Sequence, residues 1–205
     1  MIIFFLCEWL NLKNYKKFPP EKKIYAHGKY ISEKIIKNFV KKFKLKIGIA
    51  RCFAFYGESI PEDGHFFLSN IIKPIKKNQP VKLYSNKLKF IFRSYMHTDD
   101  MVIAFMNIIE KQSSKLAIYN VGSDIAYSLH YLLKKIRSKF KIKINIPKQM
   151  SKSEIDFYIP DIKKIKNKFN FSCKKDFFKE FRKLILIKKN WSIIFYNKIW
   201  LVNLI

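Results

Sequence analysis

Strand-like and helix-like runs alternate along the chain. Residues 1–6 form a continuous apolar run short enough for a buried strand, followed by a Lys- and Pro-bearing loop through Pro19 and Pro20. Between 26 and 43 the apolar residues Ile31, Ile35, Ile36, Phe39, Val40 and Phe43 recur at helical spacing, which predicts a helix. The run KIGIARCF over 46–53 reads as a buried strand, and 55–64, holding Gly57, Pro61 and Gly64, reads as loop. Residues 65–78 are helical in spacing, although Pro74 should break or kink them. Two more strands are expected over 81–84 and 89–96, joined by Ser85-Asn86-Lys87. Thr98 stands where an N-cap belongs for a helix over 99–111, with Asp99 and Asp100 favourable in its first turn. A strand over 116–120, closed by Gly122, precedes a helix over 127–140. After Pro147 a polar stretch leads to helices over 161–168 and 174–187. Strands alternating with helices imply an α/β fold with parallel pairing.

Composition changes this picture little. With 205 residues and 49% apolar content the chain can bury a real core. Its net charge of +27 invites a nucleic-acid reading. Yet only Arg51, Arg93, Arg137 and Arg182 are arginines, and the other 38 basic residues are lysines spread along the whole length. Base edges and bidentate phosphate contacts favour the planar fork of arginine, so no specific nucleic-acid partner is expected. Cys7, Cys52 and Cys173 are odd in number and widely spaced, which gives neither a disulfide framework nor a metal site and suits a cytoplasmic protein. The apolar tail over 189–205 is interrupted by Asn197, Lys198 and Asn203 and is too short to span a bilayer. It reads as a docked terminal element or, alternatively, as a membrane-surface contact.

The candidate chemistry begins at Tyr25-Ala26-His27-Gly28-Lys29. A Tyr and a Lys four apart on a helix share one face, so the ammonium can approach the phenol. A phenol titrates near pH 10 and is a poor base at neutrality; a neighbouring cation favours the phenolate and brings it toward the working range. Such a pair can exchange a proton with a substrate hydroxyl while hydride moves to or from a nicotinamide. Taken alone, the spacing also fits a solvated helix face in a chain this rich in lysine.

The order of the segments that follow carries more. YAHGK precedes an amphipathic helix and the strand IARCFAFYG; then come GHFFLSNII, IFRSYMHTDDM, YNVGS and YIPDIKKIK. The series, covering roughly residues 25–171, resembles the extended short-chain dehydrogenase family of NAD-dependent sugar-nucleotide epimerases and dehydratases. It looks closest to members acting in surface-polysaccharide sugar pathways. The resemblance implies a partial Rossmann-like parallel sheet with a C-terminal substrate-binding lobe. Residues 1–60 would be the Rossmann part, 61–188 the lobe with the last Rossmann elements, and 189–205 an apolar tail.

Carried over residue by residue, the resemblance makes Tyr25 the catalytic acid/base and has Lys29 hydrogen-bond the nicotinamide ribose. Phe53 would touch the nicotinamide, with ordinary core packing as the alternative. Arg93 would pair with the substrate diphosphate, which its bidentate fork suits, or else form a surface salt bridge. Asn70 matches a nucleotide-contacting position or is simply a polar helix residue. Ala54 falls where many members place an Asn that contacts the sugar. Asp99 and Asp100 read as helix-start residues, Asn120 and Gly122 as turn-shaping, and Tyr158 with Asp161 as introducing the late helix.

Departures bear on activity. None of the five glycines forms the family's Gly-rich phosphate-binding turn. The catalytic Ser or Thr has no counterpart: no Ser precedes Ser32, and Thr98 is the only Thr. If residues 1–6 are the strand that carries this hydroxyl, Cys7 lies near its place. The expectation is the C-terminal part of an NAD-dependent nucleoside-diphosphate-sugar epimerase/dehydratase, without its cofactor-binding half and not autonomous. A separate cofactor-binding polypeptide would then complete it. The alternatives are an inactive remnant that retains sugar-nucleotide binding, or a basic membrane- or nucleic-acid-associated protein.

Overall fold

A computed structural model describes residues 2–7, 20–60 and 66–186. Strand β1 (Ile2–Cys7) precedes helix α1 (Pro20–Phe43), β2 (Ile47–Cys52) and the short β3 (Phe55–Tyr56). Helix α2 (Ser69–Lys76) leads to β4 (Val81–Lys82), a 3-10 turn (Leu88–Phe90), β5 (Ile91–Arg93) and β6 (Met96–His97). Helix α3 (Thr98–Lys111), β7 (Leu116–Val121), β8 (Tyr127–Ser128) and α4 (Leu129–Phe140) follow. Strands β9 (Ile144–Asn145) and β10 (Asp156–Tyr158) and helices α5 (Lys163–Phe169) and α6 (Phe177–Leu186) complete the described chain.

The expected parallel sheet is present, in the order β1-β2-β7 with all pairs parallel. Its central strand β2 is buried along nearly its whole length, as a strand covered on both faces must be. On one face Ile36 and Val40 of α1 pack against Ile47 and Ile49. On the other, Ala50 and Cys52 meet Ala104 and Ile108 of α3, Ile165 of α5 and Tyr119 of β7. A separate core joins α2, α4 and α6, with Leu132, Leu133, Ile136 and Phe181 fully buried. Phe177 is the hub of this lobe, its ring contacting Tyr56, Tyr95, Tyr127 and Phe181. The tail over 189–205 lies outside the described residues.

Several local expectations are corrected. Segments 81–84 and 89–96 are not two strands joined by a turn. β4 pairs with β9, β5 lies between β10 and β8, and β6 pairs with β3. The reason is tertiary: burial of Leu88 draws the chain into the 3-10 turn, and Met150 N–H donates to Asn86 O at 3.0 Å. Helix α2 holds Pro74 inside it and ends two residues later, after which Asn78 turns left-handed and Gln79 N–H donates to Pro74 O. The N-cap of α3 is His97 rather than Thr98, its Nδ1 accepting from Asp99 N–H at 3.2 Å. Ser128 likewise caps α4, and Tyr127 belongs to β8 instead of the helix. Of the six apolar positions that predict α1, only Ile36 and Val40 are buried.

Candidate functional site

The site is built where the sheet ends. In a parallel β-α-β unit the crossover helix runs antiparallel to the strands, so the first turns of α1 lie at the C-terminal ends of β1 and β2. Ligands of open α/β sheets bind beyond that edge. A charged clamp sets the depth of α1. Glu33 is buried and accepts from Arg51 Nε at 3.0 Å and Nη2 at 2.8 Å, and Lys37 adds a contact at 2.8 Å. Tyr25 lies two turns before Glu33, about 12 Å along the helix at 1.5 Å per residue. The strand β2, by contrast, ends one residue past Arg51.

Tyr25 and Lys29 sit together on α1 as their spacing requires. Tyr25 is exposed, Lys29 is half-buried, and the ammonium lies over the phenol ring, 5.2 Å from its centre. At the end of β2, Phe53 donates its N–H to Val121 O at 2.9 Å and stays half-buried. Its ring meets that of Tyr158 at 5.0 Å. Gly122 belongs to the same corner: a Cβ there would stand 2.7 Å from Pro160 Cγ and 3.0 Å from Phe53 Cβ, so only glycine allows the approach. Asn120 supports the corner from below, its Nδ2 donating to Asp161 O at 2.9 Å.

Arg93 reaches the corner from the lobe. Its guanidinium lies 5.8 Å from the centre of the Tyr158 ring, on β5 directly paired with Tyr158 of β10. Tyr158 therefore touches both Phe53 and Arg93, the residues expected for nicotinamide and for diphosphate. Arg93 is already engaged, donating to Asp156 Oδ2 at 2.6 Å, Phe92 O at 2.8 Å and Asp156 O at 3.2 Å. Ala54 is half-buried just past Phe53, and its carbonyl accepts from Met96 N–H at 3.1 Å. Asn70 is exposed in the first turn of α2, whose sequence neighbours Ser69 and Ile71 pack into the lobe.

The two aspartates of the HTDD run serve different ends. Asp99 is exposed and pairs with Lys175 at 2.7 Å, a hydrogen bond that holds its carboxyl below the usual range, with a smaller push from His97. Asp100 is buried and accepts backbone N–H groups of Lys174 and Lys175, both at 3.0 Å, which ties α3 to the chain entering α6. Sequence reasoning missed this clamp, the Glu33–Arg51 pair and the Asp156 carboxylate on Arg93. An acidic residue in a largely basic chain was the one hint at any of them, and it named no partner. Nearby, burial pushes the Cys173 thiol up to about 11, with Asp100 and Asp124 adding to it. Among the described residues, no group of three or more His, Cys, Asp or Glu could hold a metal ion, and no helix is long and apolar enough to cross a membrane.

The fold is that of known sugar-nucleotide enzymes. The chain is similar to UDP-glucose 4-epimerase of Thermotoga maritima, with a TM-score of 0.66 and 20% identity over 78% of this chain and 52% of that one. It is similar to dTDP-glucose 4,6-dehydratase of Bacillus anthracis, with a TM-score of 0.65 and 17% identity over 82% of this chain and 51% of the other. RMD from Pseudomonas aeruginosa, solved with NADPH, aligns with a TM-score of 0.66 and 14% identity over 89% of this chain and 63% of that chain. The chain thus spans roughly half to three-fifths of the length of these relatives. No curated protein sequence matches it. The sequence profile described as the NAD dependent epimerase/dehydratase family matches residues 12–122, just over half of the chain. By that match the chain belongs to the NAD dependent epimerase/dehydratase family.

Proposed function

We propose that this chain forms the sugar-nucleotide side and the nicotinamide side of an NAD-dependent epimerase or dehydratase. The observation that carries the reading is the continuous contact from Phe53 through Tyr158 to Arg93. It joins the sheet edge, where a nicotinamide would rest, to Arg93, whose fork would suit a diphosphate. Phe53, Gly122 and Pro160 pack closely there, and the flat nicotinamide ring would rest against them. Bound NAD supplies the hydride acceptor and donor. Tyr25 takes the proton of a sugar hydroxyl and later returns it, and the Lys29 ammonium beside its ring favours the phenolate while hydrogen-bonding the nicotinamide ribose. Asn70 would contact the nucleotide and Ala54 the sugar. The pyrophosphate of NAD asks for a Gly-rich turn at a helix N-terminus, and none of the five glycines provides one. Residues outside these 205 would have to supply it.

The test uses two substitutions of opposite sign. Arg93→Ala removes charge-assisted hydrogen bonds worth about 1.5–3 kcal/mol and should weaken UDP- or dTDP-sugar binding roughly ten- to a hundredfold. Asp156→Asn removes the carboxylate that competes for the same guanidinium and should tighten binding. Isothermal titration of both variants against the parent decides. Affinity unchanged in Arg93→Ala, or lowered in Asp156→Asn, removes Arg93 from the diphosphate site.

A further inference from the structure

We propose that the groove between the second half of α1 and the start of β7 binds a soluble anion of two or more linked phosphate groups. Lys34, Lys37, Lys41 and Lys44 follow one another at spacings of three and four, which puts them on one flank of the helix. Lys115, the residue ahead of β7, joins them in lining a single groove of about 630 Å³. The row of four is about 15 Å long at 1.5 Å per residue. Val40, buried, and Leu116, half-buried, line the same groove, so it reaches down to where α1 packs on the sheet. The ammonium groups therefore surround a recess.

Their charge is largely unanswered. No acidic residue lines the groove. Lys37 is engaged by the buried Glu33 carboxylate at 2.8 Å, which Arg51 shares. Among the described residues no carboxylate pairs with Lys34, Lys41, Lys44 or Lys115. Lys34 rests 4.6 Å from the centre of the Tyr30 ring, a contact that holds the ammonium without neutralising it. A cleft lined by one sign of charge focuses the field and concentrates counter-ions within it.

The types of side chain select the occupant. Lysine presents a compact charge with three donors, which can meet phosphate oxygens from several directions. A strand of nucleic acid is held by aromatic platforms as well as cations, and no aromatic ring lines this groove. Linked phosphates can engage several of the ammonium groups at once, whereas a single phosphate meets few of them. The groove is also remote from the corner proposed for catalysis. Leu116 opens β7 and Lys44 precedes β2, whereas Phe53 follows the far end of that six-residue strand, about 20 Å away at roughly 3.3 Å per residue.

Isothermal titration of the full chain with sodium tripolyphosphate, and separately with orthophosphate, tests the proposal. Tripolyphosphate should saturate a single site and bind at least about tenfold more tightly than orthophosphate, because its charges are linked. Lys41→Gln/Lys115→Gln should weaken that binding roughly tenfold, and Lys41→Arg/Lys115→Arg should retain it. Lys134→Gln/Lys135→Gln removes the same charge from the exposed side of α4 and should leave the affinity unchanged. All four lysines are exposed, so circular dichroism and Tm should match the parent in every variant. Absence of saturable tripolyphosphate binding overturns the proposal, as does orthophosphate binding equally tightly. An equal loss in the α4 variant would assign the binding to bulk charge. A single-stranded oligonucleotide that displaces tripolyphosphate at lower concentration, and depends on Lys41 and Lys115, would assign the groove to nucleic acid.

Discussion

The ammonium of Lys29 lies 5.2 Å from the centre of the Tyr25 ring, and the proposed proton transfer treats the two as a unit. Tyr25→Phe keeps the ring and deletes the proton, so turnover of a nucleotide sugar by the reconstituted enzyme should fall about 10²–10⁴-fold with Tm almost unchanged. Lys29→Met keeps the stem but removes the charge that favours phenolate, so the rate should fall and the pH optimum rise. The double variant should be little worse than either single, because both disable one proton transfer. Survival of activity in Tyr25→Phe within about threefold, far below that general acid–base range, would make the spacing a coincidence. Cys173 offers a residue-scale test that needs no substrate. Its thiol is raised to about 11 by burial, so the folded state holds its proton more tightly than the unfolded chain does. Its contribution to stability is fully present below the unfolded-state value, about pH 8.5, and is lost as pH rises toward 11. Iodoacetamide labelling of Cys173 near pH 8, read by mass spectrometry, should be slow in the native protein and fast in urea. Equal rates would mean that partial burial does not shield the thiol.

Elements owe their placement to a few polar clamps that apolar periodicity does not reveal. Helix α1 is held at the sheet by Ile36 and Val40 and by the Glu33–Arg51 pair, with 4% and 25% of the respective side chains exposed. Glu33→Ala leaves Arg51 without its carboxylate in a mostly enclosed place and should cost about 2–3 kcal/mol in urea unfolding. Replacing both by well-packed apolar residues should recover most of that loss. If Glu33→Ala is neutral, the clamp does not set the position of α1. The same helix ends on Lys44 in the left-handed region, and Asn78, Lys141 and Asn170 follow α2, α4 and α5 in that conformation. Glycine is the usual residue there, and a chain with five glycines uses asparagine and lysine at a cost of about 1 kcal/mol each. These stops therefore gave no glycine signal from which to read helix ends.

At the scale of the molecule, a three-stranded parallel sheet with helices on both faces carries a lobe whose core is distinct from it. The corner between them, where Phe53, Tyr158 and Arg93 meet, is the proposed place of the nicotinamide and the diphosphate, and none of the five glycines forms a Gly-rich turn for a dinucleotide pyrophosphate. The chain by itself should therefore show no micromolar affinity for NAD in a calorimetric titration, and addition of a cofactor-binding partner should restore it. Micromolar binding by the chain alone would show that the pyrophosphate is held by residues of this chain after all.

Alternating strand and helix periods in the sequence already determined the α/β class, because each period reflects which side of a local element must leave water. The order of motifs from Tyr25 onward likewise determined the family, and the pairing of Tyr25 with Lys29 follows from helix geometry alone. Tertiary structure decided what local pattern leaves open. It separated 81–84 from 89–96 into different sheets, because strand partners distant in the chain determine pairing. It made Asp100 a buried clamp and left its neighbour Asp99 on the surface, a difference set by which carboxylate faces the N–H groups of Lys174 and Lys175. It also left most of the apolar stripe of α1 outward, since a helix can bury only the side that meets the sheet, and this helix is apolar on more than one.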